Sequence, residues 1–427
     1  MSPRRIHPAW SVAAVTLGAL VAAAAFRSSI GVLIEPMESE FGWTRATTSA
    51  AVTINLILYG LVAPFAAALM ERWGVRRTVT TALLTIAAAS ALTMVMTAAW
   101  QLWLLWGLAI GIGTGMMALV FGAIVANRWF HTHRGLVTGI FSAANATGQM
   151  VFLPVIAATS SAAGWRAAVG IECGLALLGA LAVWLFLVDH PSDRSLLPYG
   201  VAEGYAVGAP QRSTEPPVQA ALRVLRMASR TWAFWGLVIT FFVCGWSTNG
   251  LIQTHFIPAA HDVGMTPTVA AGLLAVVGTF DVLGTIASGW LTDRVDSRYL
   301  LLAYYGLRGL SLFALDAVLA PDMGAGLWVF IIFYGLDWVA TVPPTVDLCR
   351  KHFGLADSGI VFGWVFASHM VGAGISASVS GWLRTTTGTY HEAWLVAAFL
   401  CLGAAVVAVL IPKKRDAVAA DRVPVPA

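Results

Sequence analysis

"RGLVTGIFSAANATGQM", residues 134–150, and "SGIVFGWVFASHMVGAG", residues 358–374, read as two versions of one stretch. In register, Gly135, Gly139 and Gly148 fall on Gly359, Gly363 and Gly372. A second pair, "AALMERWGVRR" at 67–77 and "GWLTDRVDSR" at 289–298, repeats at nearly the same separation. One unit therefore occurs twice in the chain, in the same direction. Two such units are a parallel repeat that can rock about a site between them.

The composition says what each unit is made of. The chain has 427 residues, 58% hydrophobic and 11% charged, against about 25% charged in a soluble domain. Its apolar runs approach the roughly 20 residues that a helix needs to cross a bilayer. Charged and Pro/Gly-rich breaks divide them into spans at 10–34, 47–70, 78–99, 102–126, 135–158 and 166–188. Six more follow at 231–257, 266–290, 299–320, 325–347, 358–383 and 392–411. The fold class this predicts is an all-α membrane protein: twelve transmembrane helices in two pseudo-symmetric six-helix bundles, residues 1–188 and 231–427. Residues 189–230 read as a cytoplasmic linker with a short amphipathic helix near "VQAALRVLRMASR". The basic start and long apolar run at the N-terminus read as an uncleaved first span, not a signal peptide.

Orientation follows from the basic residues. Arg72, Arg76, Arg77, Arg128, Arg134, Arg294, Arg298, Arg350, Lys351, Lys413 and Lys414 all fall in loops on one side, and the linker adds more. The opposite loops carry Arg45, Arg166 and Arg384. Positive charge stays inside, so the termini and linker are expected in the cytoplasm. Arg far outnumbers Lys and Ala abounds, which points to a GC-rich bacterium and its cytoplasmic membrane.

Several classes drop out. The net charge of +4 is spread over short loops, so no nucleic-acid partner is expected. Cys173, Cys244, Cys349 and Cys401 are far apart and suggest neither a zinc site nor disulfides. The histidines show no metal spacing, and no phosphate-binding Walker loop appears. The expectation is no enzyme, no cofactor and no metal.

The loops after spans 2 and 8, "MERWGVRR" and "GWLTDRVDSR", resemble the G-x-L-x-D-R-x-G-R-R loop of the major facilitator superfamily, with Ala67 and Glu71 departing in the first copy. The resemblance implies gating loops built on Glu71, Arg72, Arg76, Asp293 and Arg294, whose acid and arginines pair in one conformation only. Within that superfamily, "RWFHTHRGLVTGIFSAA" is similar to the helix 4–5 signature of the monocarboxylate porter branch, through Trp129, Phe130, Arg134, Leu136, Gly139 and Ala143. "FRSSIGVLIEPMESEFGW" resembles the end of that branch's first helix. It places Arg27 where a cationic residue engages the substrate carboxylate. Two features of the branch are missing: the acidic-glycine signature of helix 1 ("LVAAAAF" here) and the helix 8 arginine, where Thr285 stands.

A charge at the bilayer centre costs at least ~2.5 kcal/mol on insertion scales, so each buried ion is a candidate site. Arg27 lies about 10 Å below the outer end of span 1, by helix rise. A guanidinium fork there suits a carboxylate; its other reading is a structural partner for Glu172 or another buried acid. Its repeat equivalent is Asn249, flanked by Gly245 and Gly250. His369 is the equivalent of Asn145, and Gln149 shares a face with Asn145. These five, Arg27, Asn145, Gln149, Asn249 and His369, form the candidate substrate set. Arg308, Asp281 and Asp337 all fall about 14 Å deep by helix rise, which suggests a network in which two acids share one arginine. Read as architecture, the network lets Arg308 escape lipid. Read as function, Asp281 or Asp337 carries a proton, because a desolvated carboxylate beside a second one resists ionisation.

The reading these residues support is a secondary transporter for a small, monocarboxylate-like organic anion, proton-coupled and working by alternating access. Its expected partners are the substrate, a proton and the lipid bilayer, around a monomer. The alternative is an exporter of a larger amphipathic or neutral compound, in which Trp246, Trp338 and Trp364 pack on the cargo and Arg27 is structural.

Overall fold

The computed structural model of the chain describes residues 7–201 and 213–414, apart from the side chains of a few helical residues that include Arg27 and Asn145. Helices α1 (Pro8–Ser28) and α2 (Ile30–Phe41) meet at Ser29. Next come α3 (Arg45–Leu61), α4 (Ala63–Trp73), α5 (Val75–Thr93) and α6 (Ala99–Leu102). A π-helical segment, Trp103–Ile110, leads into α7 (Gly111–Met116) and α8 (Leu119–Trp129). Helices α9 (Arg134–Ala163) and α10 (Trp165–Phe186) close the first half. The linker holds α11 (Pro217–Ala228). The second half runs α12 (Trp232–Gly245), a second π segment Trp246–Ile252, α13 (Gln253–Asp262), α14 (Pro267–Thr292), α15 (Ser297–Val318), α16 (Ala325–Asp337), α17 (Val342–Thr387) and α18 (His391–Leu410).

Among the described residues nine helices are long and apolar enough to cross a membrane, or ten if α3 and α4, bent by 51°, are taken as one span. The twelve expected spans map onto these with two differences. Residues 325–387 form one run in that count. Gly354 interrupts it with φ 75°, a left-handed conformation that glycine adopts without steric cost, where spans 10 and 11 were expected to part. Helix α5, the expected third span, begins at Val75 with Arg76 and Arg77 in its first turn and is not among the nine.

Small residues do the packing. Without water to expel from between helices, association in lipid rests on close van der Waals contact. Gly309 of α15 lies against the Ala398 carbonyl of α18, and the alanines of α18 at 397, 398, 404, 405 and 408 are buried. In the first half α1 packs on α9 and α10, and α5 on α10; in the second, α12 packs on α17 and α15 on α18.

Between the halves, α9 lies along α14, and α17 meets α3, α4 and α8. The repeated glycines explain both seams. A methyl at Gly139 would stand 2.6 Å from the Thr285 carbonyl, and one at Gly289 would stand 2.9 Å from the Gly139 Cα. In the other copy, a methyl at Gly363 would stand 2.5 Å from the Pro64 Cα. Residues 135–139 and 359–363, at the starts of the two stretches, are thus faces on which one half closes on the other, whereas Gly148 and Gly372 pack on α1 and α12 of their own halves. Helix α11 lies against both α4 and α17. Its Ala221 carbonyl accepts from the Trp364 indole at 3.0 Å, and Arg223 reaches Glu215 and Asp357.

Candidate functional site

The buried polar groups of the second half gather around a break in helical structure. Between Asp337 and Val342 the chain leaves the α-helical ladder, and Pro343 and Pro344 supply no N–H to the preceding turn. Carbonyls are therefore free inside the bundle. Ser288 donates its hydroxyl to the Ala340 carbonyl at 2.5 Å. Arg308, fully buried on α15, takes most of what remains. Its Nε donates to Asp337 Oδ2 at 2.5 Å, and Nη2 to the Asp337 and Trp338 carbonyls at 2.6 and 3.2 Å. Nη1 donates to Ser247 at 3.2 Å, and the rings of Tyr305 and Tyr334 flank the guanidinium. A buried charge survives only when its donors are met this fully.

Asp281 differs from the shared-arginine network expected from sequence. Its Oδ1 accepts from the Thr285 hydroxyl at 2.7 Å and the Val339 N–H at 3.0 Å, and its interaction with Arg308 is through space. Thr285 is one turn along the same helix, and the break in the neighbouring helix frees the Val339 amide, so both donors reach Asp281 before the guanidinium does. Asp337 Oδ1 has no hydrogen-bond partner.

The second π segment adjoins this cluster. Its widened turn leaves carbonyls exposed to neighbours. Ser376 donates to the Trp246 carbonyl at 2.9 Å and Tyr334 to the Ser247 carbonyl at 2.8 Å. Asn249 sits in this segment, half-buried, with no side-chain hydrogen bond among the described residues. His369 lies across from it on α17, its carbonyl against Gly245. The imidazole stacks on Phe366 and faces Phe241, and its Nδ1 has no partner. Gln149, on α9, is also half-buried without a side-chain hydrogen bond among the described residues. The side chains of Arg27 and Asn145 lie outside the described residues; their backbones belong to α1 and α9. One turn before Arg27, Ala23 and Ala24 line a cavity of about 20 Å³ with Tyr59, Thr114 and Phe141, room for one water molecule.

Sequence reasoning missed Thr285 as a ligand of Asp281, and missed Ser247, Tyr334 and Ser376. It also missed Asn55, buried on α3, which donates to the Trp106 carbonyl inside the first π segment at 3.0 Å. Only the buried polar type of Asn55 could have been noticed; a π turn has no compositional signature.

At the end of the bundle that carries the loops after α4 and α14, the two loop copies behave differently. Asp293 accepts the backbone N–H groups of Gly135 and Leu136 at 2.8 and 3.0 Å. A carboxylate of the second half thereby caps a helix of the first, where the helix dipole favours negative charge. Glu71 instead pairs with Arg128 of its own half at 2.6 Å. Arg76 stacks on Trp184 while its N–H donates to Asp189, and Arg294 stacks on Trp290. Arg72 is half-buried beside Glu71. At the opposite end, the ion pairs among the described residues stay within each half. Arg166 holds Glu40, whose carboxyl it keeps below the usual range, and Arg384 holds Asp262 at 2.6 Å with the same effect.

The comparisons agree with this architecture. The model of the Major Facilitator Superfamily matches residues 15–364. An uncharacterized MFS-type transporter of Bacillus subtilis, YcxA, is 26% identical over 389 residues, covering 89% of this chain and 90% of that protein. Monocarboxylate transporter 13 of Bos taurus is 27% identical over 387 residues, covering 90% and 84%. The solved E. coli fucose:proton symporter FucP superposes with a TM-score of 0.71 at 15% identity, over 94% of this chain and 98% of that one. The proton:xylose symporter XylE gives 0.70 at 14%, over 96% of each. With the duplicated half, the glycine seams and the charged loops at one end of them, the match identifies a multi-pass membrane transporter: the chain belongs to the Major Facilitator Superfamily.

Proposed function

We propose that the chain is a secondary active transporter that moves a small, monocarboxylate-like organic anion by alternating access, coupled to protons. The observation that carries the reading is the asymmetry of its ties. At the cytoplasmic face a carboxylate, Asp293, bridges the two halves, whereas at the outer face Glu40–Arg166 and Asp262–Arg384 each bind within one half. This is the expected state of a carrier closed to the cytoplasm. Arg27, on the helix that lines the cavity in this fold, is the proposed carboxylate ligand. Asn145, Gln149, Asn249 and His369 complete the site with hydrogen-bonding groups. Asp281 and Asp337 are the proposed proton carriers, with Arg308 holding Asp337; the gating loops are Glu71, Arg72, Arg76, Asp293 and Arg294. Support for the substrate class comes from the monocarboxylate transporter relative, and support for coupling from the two proton symporters of like fold. The protein is proposed to act as a monomer in a bacterial cytoplasmic membrane, without a cofactor and without enzymatic activity.

The test is uptake of radiolabelled carboxylates into proteoliposomes, with and without an inward proton gradient, for wild type beside Arg27→Gln. Gradient-stimulated uptake lost in the variant is the expected result. Folded protein that moves no carboxylate would overturn this reading in favour of an exporter of a larger amphipathic compound. The buried Trp246, whose Nε1 has no partner, would then serve as a packing surface for cargo.

A further inference from the structure

The loop between α14 and α15, the part of α17 just before Gly354 and the chain leaving α18 enclose a cavity of about 330 Å³. That is roughly ten times the ~30 Å³ share of a water molecule in the liquid. Cations line it from three distant stretches of chain: Arg294 and Arg298, then Lys351, then Lys413 and Lys414. Asp293 and Asp296 line it with them, but both acids are engaged. Asp293 accepts the Gly135 and Leu136 N–H groups across the seam, and Asp296 holds Arg298. Lys351 pairs at 2.7 Å with Asp347, which also receives Ser297 and Arg350. The remaining cations, Arg294, Lys413 and Lys414, have no carboxylate among the described residues. Arg294 lies on the Trp290 ring and donates to the Trp290 carbonyl at 2.8 Å. Lys414 donates to the His352 carbonyl at 3.1 Å. Lys413 makes no hydrogen bond or ion pair with the described residues.

Basic loop residues that merely face water have no reason to converge. Like charges on one concave wall raise each other's energy, and a recess lined by one sign concentrates the opposite sign. The geometry also selects among anions. A carboxylate offers two oxygens in one plane, which suits a single guanidinium fork. A phosphate accepts from several directions at once, which suits two ammonium groups and a guanidinium arriving from separate segments. The surroundings suit a lipid headgroup. Trp290 and Tyr299, beside Arg294 and Arg298, are 44% and 53% exposed, as aromatic residues are at headgroup level. Val295, on the cavity wall, is exposed as well.

We propose that this cavity is a phosphate-binding site, filled in the membrane by the headgroup of an anionic phospholipid. Arg294, Lys413 and Lys414 supply the charge, and the aromatic flank matches the headgroup level. The site involves no transported substrate, so it stands or falls independently of the transport reading.

The test titrates purified full-length protein with phosphatidylglycerol and with phosphatidylcholine and counts bound lipid by native mass spectrometry. Wild type should prefer phosphatidylglycerol. Lys413→Gln/Lys414→Gln should bind it about 30-fold more weakly, at roughly fivefold per lysine. Arg226→Gln/Arg230→Gln removes as much charge from exposed positions at α11, away from the cavity, and should keep the wild-type preference. Should the lysine pair variant not fold, Lys413→Gln alone, which breaks no contact with the described residues, carries the test with a loss of about fivefold. A second arm adds inorganic phosphate to delipidated protein and follows the thermal midpoint. A phosphatidylglycerol preference lost only in the lysine variants assigns the phosphate to a headgroup. Absence of that preference, with a midpoint raised by phosphate in wild type but not in the lysine variants, keeps the phosphate site and overturns the headgroup as its occupant. Equal losses in the lysine and arginine pairs, or no response in either arm, overturn the proposal.

Discussion

Gly139 and Gly289 meet with so little space that a methyl on Gly289 would stand 2.9 Å from the Gly139 Cα. These residues belong to different halves, and nothing but glycine lets their backbones approach. On the alternating-access mechanism proposed above, the contact belongs to one state of the carrier and opens in the other. Gly139→Val is expected to hold the cytoplasmic end apart, since overpacking costs about 1–3 kcal/mol. A cysteine at Ser142, buried one turn further along the helix, should then react with a maleimide at least ~10-fold faster than in the unsubstituted seam. Equal rates would mean that the seam does not control access.

Arg308 and Asp337 should behave as a unit. Removing one partner strands the other charge in the bundle. Arg308→Met or Asp337→Asn alone is expected to cost about 3–5 kcal/mol. The double variant should lose less than either, because no uncompensated charge remains. Thermal unfolding in detergent gives the order of the midpoints; additive losses would contradict the pairing.

Asp281 should tolerate a neutral isostere. An Asn oxygen can still accept from Thr285 and Val339, so Asp281→Asn is expected to stay folded within about 1 kcal/mol of wild type. Proton-driven uptake, in contrast, should fall to the undriven level if Asp281 carries the proton. Full gradient stimulation in both Asp281→Asn and Asp337→Asn would remove these acids from coupling.

The loop before α15 offers a pH signature. Asp296 is the N-cap of that helix, and its carboxylate accepts the Arg298 N–H at 3.1 Å. The Arg298 guanidinium, at 2.9 Å, holds it below the usual carboxylate range. A depressed folded value means that this stabilisation is complete above the unfolded value, near ~4, and fades as pH falls through the folded one. Asp296→Ala should cost about 1 kcal/mol near neutral pH, with the difference from wild type shrinking in acid. A difference independent of pH would show that the cap, not the charge, is responsible.

Much of this was readable in the residues. Charge scarcity and the repeat gave the bundles, because lipid penalises polar groups wherever they fall. The repeat also held the seam: Gly135, Gly139, Gly359 and Gly363 are conspicuous in sequence, although only the structure shows what they face. The depth of Arg308 brought it to Asp337. It could not reveal that Asp281 would bind Thr285 and Val339, which depends on an amide freed by a local break. The loop acids illustrate the same limit. Asp293 and Glu71 occupy equivalent places, yet one caps the opposite half while the other pairs with Arg128, a difference that like sequences do not disclose.

The most direct test of alternating access is a pair of spin-label distances. One pair, at Trp73 and Leu355, crosses the ends of the two halves expected in the cytoplasm; the other, at Ala163 and Val263, crosses the opposite ends. All four positions are exposed. Asp293→Asn removes a capping charge worth about 1 kcal/mol, a shift of roughly fivefold in the ratio of closed to open. The account predicts that the cytoplasmic distance lengthens in this variant while the outer distance shortens. Distances that stay fixed, or that lengthen together, would contradict rocking of the two halves about a central site.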